Sequence, residues 1–352
     1  MTFLEPTRLQ WFRALVNNPY VTNRSTGKMK FVVWKAYHLE SNEIVDRYLA
    51  IVRELVSGHQ YVICDDEEDV KREVVDADVM LCWKITPEVF ARAQKLRWIQ
   101  FGSAGIDHTV FPELLNSHVI LTTLAGIHRV VVAEHVLALM LALARRLNLA
   151  ASLQLQHNYD RAEIAATADV LAGKTVGIIG LGRIGLNIAR LAKAFEMTVV
   201  GTKRVLDGEL PNVDQVYGAG DYRRILPLSD FLVLAVPLTA ETHALIGRKE
   251  IEMMKPHSCL INVARGAMVD HDALADALKS GKLRGAALDV FPQEPLPSNS
   301  PIWDLPNVII TPHAAASHPG YAESAAYIFK KNLTAFLRGE PMTNVYDRSR
   351  GY

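Results

Sequence analysis

Thr175-Val-Gly-Ile-Ile-Gly180-Leu-Gly182-Arg-Ile-Gly185 is the stretch on which the fold turns. It begins as a short apolar run of strand type and passes into three glycines in GxGxxG spacing. Beyond them Ile184, Ile188, Leu191, Ala192 and Phe195 share one face of a 3.6-residue period, a helix ending near Met197. A second apolar run, Thr198–Thr202, follows at once. Strand, glycine turn, helix and strand make a βαβ unit of the kind that holds a dinucleotide. Gly180 permits the tight turn, Gly182 lets a pyrophosphate approach the backbone, and Gly185 allows helix and strand to pack closely. The helix N-terminus adds N–H groups and a partial positive charge where phosphate would sit.

Working outward, similar runs recur on both sides. Upstream lie Phe31–Trp34, Tyr61–Cys64, Val79–Trp83, Trp98–Phe101 and Val119–Thr122. Downstream lie Phe231–Val236, Cys259–Val263, Gly285–Val290 and Val308–Thr311, and the glycine strand itself spans Thr175–Gly180. The runs are short, rich in Val and Ile, and do not alternate with polar residues, so they read as parallel strands buried on both faces. Helical stretches separate most of them. The expected fold is α/β, with two Rossmann-like domains, parallel doubly wound sheets and an active-site cleft between the domains. A long helix from about Arg129 to Leu149 and a loop from about His157 to Ala172 join the two series. Ala322 to Arg338 reads as an amphipathic helix stopped by Gly339 and Pro341.

Composition agrees. A chain of 352 residues suggests about two domains. At 49% hydrophobic and 22% charged it can fill two cores, which excludes a disordered chain and a small disulfide scaffold. Lys and Arg balance Asp and Glu at 38 each, so no global field attracts nucleic acid or an anionic membrane. Cys64, Cys82 and Cys259 sit in or beside apolar runs, without a CxxC, and read as buried free thiols of a reducing compartment. No segment is long and uncharged enough to span a bilayer. Residues 1–28 lack a secretory apolar region. They carry Arg8, Arg13 and Arg24, and read as an N-terminal arm in preference to a transit peptide, since Glu5 and Pro6 argue against the latter. The expected location is cytoplasmic.

The second strand of the βαβ unit should end on a carboxylate if the cofactor is NAD, to bond the ribose 2′-hydroxyl. Here it ends Thr202-Lys203-Arg204, with Asp207 too far along. Two cations suit a 2′-phosphate, so NADP(H) is preferred and NAD(H) remains possible.

Three motifs follow in order: Asn262-Val-Ala-Arg265-Gly266, Asp289-Val-Phe-Pro-Gln-Glu294-Pro295 and Thr311-Pro-His313-Ala-Ala. Each lies at or just beyond the carboxyl end of a predicted strand, where a doubly wound sheet gathers its ligands. Reducing a ketone builds negative charge on its oxygen, which must receive a proton. An imidazole, with an unperturbed pKa of ~6.5, suits that task at His313. Glu294 would stabilise the imidazolium and orient it. Arg265 offers a planar fork for a carboxylate and can polarise the carbonyl. A 2-oxo acid presents both groups on adjacent carbons.

From about Met29 to Asp347 the chain resembles the D-2-hydroxyacid dehydrogenase family. The resemblance rests on the three motifs above, the GxGxxG run, Ser103-Ala-Gly105-Ile-Asp107 and Val132-Ala-Glu-His135. It implies that Arg265, Glu294 and His313 are the catalytic groups. It implies nicotinamide contacts at Asp289 and the Ala264 backbone, pyrophosphate contacts at Arg183 and Ile184, and an adenosine pocket including Pro237 and Thr242. The substrate carboxylate would meet backbone N–H groups at Ala104 and Gly105, with Arg265 and His313 completing its site. The implied organisation is discontinuous: residues 29–128 plus 314–352 form the substrate domain and residues 129–313 the dinucleotide-binding domain. Members are commonly homodimers through the latter, with the Val130–Arg146 helix contributing.

The chain departs from NAD-dependent members at Lys203 and carries Ala314-Ala-Ala316-Ser317 where glycine is frequent. Glyoxylate or hydroxypyruvate reduction fits an NADP-type loop by analogy. Lys84 reads as a solvated lysine, or as a contact for a second substrate anion. The competing functional class is a nicotinamide-responsive binding scaffold without turnover, like corepressors of the C-terminal-binding type.

Overall fold

The computed structural model describes residues 27–206 and 208–352. The expected N-terminal arm, up to residue 26, and Asp207 lie outside the described residues. The chain forms two compact units, one ending at Ile127 and completed by His318–Tyr352, the other running His128–Ser317.

The first unit holds β1 (Lys30–Trp34), β2 (Gln60–Cys64), β3 (Val79–Cys82), β4 (Trp98–Phe101) and β5 (Ile120–Thr122), all parallel, in the order β2-β1-β3-β4-β5. Every residue of β1, β3 and β4 is buried and, apart from Lys30 and Gln100, apolar, which is why these strands read as apolar runs. Helix Asn42–Leu55 turns Val45, Tyr48, Leu49 and Val52 inward. The final helix, Tyr321–Arg338, packs beside it and returns the C-terminal segment to the first sheet. There Phe329 stacks on Trp98 with ring centroids 5.4 Å apart, and Tyr321 donates its hydroxyl to the Gly102 carbonyl at 2.6 Å. The helix ends at Gly339, whose φ of 67° is left-handed, as the glycine stop predicts.

The second unit holds β6 (Thr175–Ile179), β7 (Thr198–Lys203), β8 (Gln215–Gly218), β9 (Phe231–Leu234), β10 (Ser258–Asn262), β11 (Leu283–Leu288) and β12 (Val308–Ile310). They are parallel, in the order β12-β11-β10-β9-β6-β7-β8. The chain runs outward from β6 to β8, then crosses to β9 on the other side of β6. This reversal puts the turn after β6 at the switch point of the sheet, where doubly wound folds bind ligands. Helices Arg129–Ala144 and Arg183–Ala194 pack together.

Several expectations need correction. The helix from Arg129 does not reach Leu149. It ends at Ala144, Arg146 turns left-handed at φ 57°, and a new helix covers Leu147–Leu155. The stop is tertiary, because the Ala144 carbonyl accepts from the Asp169 N–H at 2.8 Å instead of from the next turn. The expected loop from His157 to Ala172 contains a helix, Arg161–Thr167, capped by Asp160 through the Glu163 N–H at 2.9 Å. Helix Arg183–Ala194 stops short of Met197 and buries Gly185, Ile188, Ala189 and Ala192, while Phe195 beyond it is 40% exposed. Strand β8 has no counterpart in the sequence reading, being a half-exposed edge strand with few apolar residues.

The cysteines are buried and unbonded, and burial raises the Cys64 thiol to about 11. Among the described residues no helix is long and apolar enough to cross a membrane, and no metal-ligand cluster occurs.

Candidate active site

The turn after β6 is built for close backbone approach. Gly180 has φ +107°, and a Cβ there would lie 2.6 Å from the Ala235 carbonyl oxygen. Its N–H donates to Thr202 Oγ1 at 3.2 Å, and the Leu181 N–H donates to the Thr202 carbonyl at 2.7 Å. The buried Thr202 thus acts inside the protein, clamping the turn to the end of β7. Gly182 caps helix Arg183–Ala194, and a Cβ there would meet nothing within 4 Å. Gly185 is buried against the turn; Arg183 is exposed and Ile184 half-buried. A helix N-terminus with bare backbone and open space beside it fits the pyrophosphate of a dinucleotide.

Beyond Thr202, Lys203 is half-buried and Arg204 exposed. Arg204 Nη2 lies 4.0 Å from Glu241 Oε2, a neighbour the sequence reading did not include. Glu241 belongs to the loop after β9, where Thr242 Oγ1 donates to the Pro237 carbonyl at 2.8 Å and accepts from the Thr239 N–H at 2.8 Å. The expected adenosine residues Pro237 and Thr242 therefore form one hydrogen-bonded turn, facing the end of β7 through the Glu241–Arg204 contact.

Arg265, Glu294 and His313 come from the loops after β10, β11 and β12. His313 Nδ1 lies 2.7 Å from Glu294 Oε2. Glu294 Oε1 accepts from the Phe291 N–H at 2.9 Å, which fixes the carboxylate plane. Burial works to raise the Glu294 carboxyl. The hydrogen bond from His313, the Phe291 N–H and the charges of His313 and Arg265 outweigh it, holding the group below the usual carboxylate range. Because Nδ1 faces a carboxylate it carries the proton, leaving Nε2 to exchange one. Gly266 is buried so tightly that a Cβ would fall 1.9 Å from the Phe291 carbonyl carbon, so the loops of Arg265 and Glu294 meet backbone to backbone. Asn262, fully buried, shapes the first of these loops: its Oδ1 accepts from the Ala264 N–H at 3.0 Å and its Nδ2 donates to the Arg265 carbonyl at 2.9 Å. Ala264 is 7% exposed, and its carbonyl accepts from Arg265 Nη1 at 2.8 Å.

His313 adopts φ 51°, a left-handed backbone that costs a non-glycine residue about 1–3 kcal/mol unless its surroundings hold it. Asp289 does the holding. Its carbonyl accepts from the His313 N–H at 2.8 Å. Its carboxylate, 1% exposed, accepts at Oδ1 from Thr311 Oγ1 at 2.6 Å and the Ala314 N–H at 2.8 Å, and at Oδ2 from the Ala315 N–H at 3.1 Å. His135, on helix Arg129–Ala144, brings Nε2 to 3.1 Å from Thr311 Oγ1 and 3.8 Å from Asp289 Oδ1. Burial lowers the His135 imidazole below its ordinary range, against the pull of Asp289.

Ala104 and Gly105 belong to the first unit, in the loop after β4, where Ala104 is exposed and Ser103 Oγ donates to the Gly105 carbonyl at 3.0 Å. Lys84, after β3, holds its ammonium 4.5 Å from the centre of the Tyr37 ring.

Residues 137–315 match the family model described as D-isomer specific 2-hydroxyacid dehydrogenase, NAD binding domain. The chain belongs to the D-isomer specific 2-hydroxyacid dehydrogenase family. It is 40% identical over 271 residues to a glyoxylate/hydroxypyruvate reductase B of Pectobacterium carotovorum, covering 74% of this chain and 82% of that protein. It is 36% identical over 282 residues to a D-3-phosphoglycerate dehydrogenase of Methanocaldococcus jannaschii; that match takes 79% of this chain and only about half, 53%, of the longer relative. Among solved structures it is similar to an NADPH-dependent glyoxylate/hydroxypyruvate reductase of Sinorhizobium meliloti, in complex with NADP and sulfate. The TM-score is 0.79 with 27% identity, over 92% of this chain and all of that one (100%). A D-2-hydroxyacid dehydrogenase is an NAD(P)-dependent oxidoreductase, and the two parallel sheets of this family member are Rossmann-like.

Proposed function

We propose that this enzyme transfers a hydride between NADP(H) and a small 2-oxo acid, giving the D-2-hydroxy acid, with glyoxylate and hydroxypyruvate as the first substrates to test. The observation that carries the reading is the 2.7 Å pair of His313 and Glu294, with the Arg265 loop packed against the Glu294 loop.

Reduced nicotinamide, when bound, supplies the hydride for the carbonyl carbon. His313 delivers a proton from Nε2 to the carbonyl oxygen as charge develops there. Glu294 stabilises the imidazolium before that transfer and keeps the ring in one tautomer through it. Arg265 binds the carboxylate and stabilises the developing oxyanion. The backbone at Ala104 and Gly105 is our assignment for the substrate carboxylate. Gly180, Gly182, Arg183, Ile184 and Gly185 are assigned to the pyrophosphate, Pro237 and Thr242 to the adenosine, and Ala264 and Asp289 Oδ2 to the nicotinamide carboxamide. Lys203 and Arg204 are assigned to the 2′-phosphate, in keeping with the NADPH-dependent relative. The working form is proposed to be a cytoplasmic homodimer built on the dinucleotide-binding unit.

Initial rates of NADPH and NADH oxidation against glyoxylate, hydroxypyruvate, pyruvate, phenylpyruvate and 2-oxoisocaproate test this. Turnover favouring NADPH and lost in His313→Ala is expected. A branched 2-oxo acid preferred by orders of magnitude would overturn the substrate assignment, and equal use of NADH would overturn the 2′-phosphate assignment.

A further inference from the structure

We infer that His135 and Thr311 are positioning residues for the reaction, acting through Asp289 on the backbone that aims His313. The inference rests on the reading of His313 as the proton donor.

The directions of the hydrogen bonds follow from elementary chemistry. Asp289 Oδ1 is a carboxylate oxygen in a nearly dry site and can only accept, so the Thr311 hydroxyl, 2.6 Å away, donates its one proton there. Thr311 Oγ1 is then left to accept, and the ring nitrogen 3.1 Å away, His135 Nε2, is the donor. This fixes the order His135 Nε2–H to Thr311 O–H to Asp289, and makes the N–H tautomer of His135 the one that satisfies the chain. Each bond polarises the next, so the chain is stiffer than its members taken singly.

What the chain holds is specific. The carboxylate that receives the Thr311 proton also receives the N–H groups of Ala314 and Ala315, on the far side of His313. The carbonyl of the same aspartate receives the N–H of His313 itself. Residues 311 to 315 are therefore tied to one side chain and one carbonyl of Asp289, and His313 is kept left-handed between the ties. Glu294 orients the ring but cannot set where its Cα stands. His135 supplies the outer anchor from a helix that contributes none of the proposed catalytic groups, 176 residues away from Thr311 in the chain.

The test is the isosteric Thr311→Val in the full-length enzyme, with Thr311→Ser as the conservative variant and His135→Leu beside them. Removing the hydroxyl is expected to lower kcat by roughly tenfold to a hundredfold, as small misplacements of a reacting group do. The dissociation constant for NADPH should stay within about twofold and Thr311→Ser should restore most of the rate. His135→Leu should reproduce the Thr311→Val loss. A second readout does not depend on turnover: the His313 Cε1–H resonance in the NMR spectrum, identified by its disappearance in His313→Ala, should move in Thr311→Val and return in Thr311→Ser. Thr311→Val with kcat within twofold of the parent, or with an unmoved His313 resonance, would overturn the positioning role. A parent enzyme without turnover on any 2-oxo acid, but with the resonance moving as described, would leave the anchor standing and sink the proposed reaction.

Discussion

Glu294 and His313 are joined at 2.7 Å, and each is tied separately to backbone: the carboxylate to the Phe291 N–H, the histidine to the Asp289 carbonyl. Their mutual geometry is therefore set before any ligand arrives. Replacing the carboxylate by an amide keeps the shape and removes the charge. Glu294→Gln is expected to lower kcat by roughly 10²–10⁴-fold, the usual range for disabling a general acid–base partner. NADPH affinity, by fluorescence titration, should change little, because none of the residues assigned to the pyrophosphate or 2′-phosphate is touched.

The same pair predicts a pH signature in stability. The Glu294 carboxyl is held below its ordinary value in the folded enzyme, burial being outweighed by His313, the Phe291 N–H and Arg265. A depressed carboxylate contributes stability that is fully present above its unfolded pKa of ~4.3 and is lost as pH falls through the folded value. Urea unfolding of the parent and Glu294→Gln should therefore differ at pH 6 and converge as the pH is taken below ~4.3. A gap that widens on acidification would contradict the assignment of charge to this pair.

Arg204 faces Glu241 at 4.0 Å, and that contact bears on the cofactor. If Arg204 serves a 2′-phosphate, Glu241 competes for it. Arg204→Glu should move the NADPH/NADH ratio of kcat/KM towards NADH by at least roughly tenfold, since a charge-assisted contact becomes a repulsive one. Glu241→Gln should move it the other way by a few-fold at most, because exposed pairs of this kind are worth only about 0.2–1 kcal/mol. The Glu241 effect should fade in high salt.

How much of this was legible in the sequence depends on what each feature is made of. Strands β1, β3, β4 and β9 are buried on both faces, so apart from Lys30 and Gln100 their residues are apolar and they are readable as runs. Strand β8 is a half-exposed edge, Gln-Val-Tyr-Gly, and gives no such run. Arg265, Glu294 and His313 were readable because each follows a strand whose end is visible. Their supports were not. Asn262 and His135 lie inside motifs that the sequence displays, yet their tasks depend on which backbone group each one faces. The break at Arg146 was hidden for the same reason, since the residue that caps Ala144 is Asp169. Local signal does exist for the helix at Arg161–Thr167: an aspartate at 160 and a glutamate at 163 make a capping pattern that the loop reading passed over.

The last helix of the chain carries a buried amide that ties it to the first sheet, and this sets the cost of disturbing it. Asn332 is fully buried; its Nδ2 donates to Gln100 Oε1 at 3.2 Å, and its Oδ1 accepts from the N–H and hydroxyl of Thr343 at 2.8 and 3.0 Å. Gln100 in turn accepts from Thr122 Oγ1 at 2.9 Å, so the amide closes a network running from the helix across β4 to β5. Asn332→Leu keeps the branched shape but leaves the Thr343 N–H and hydroxyl without their acceptor and takes away one of the two donors to Gln100 Oε1. Each abandoned buried group costs about 1–3 kcal/mol, so a loss of several kcal/mol is expected. Asn332→Asp adds a buried charge facing the Gln100 acceptor and should be no better tolerated. Both variants should unfold at lower urea concentration than the parent, with the earlier change in tryptophan fluorescence from Trp98, which stacks on Phe329 of the same helix. If Asn332→Leu unfolds within about 0.5 kcal/mol of the parent, the network is incidental to stability.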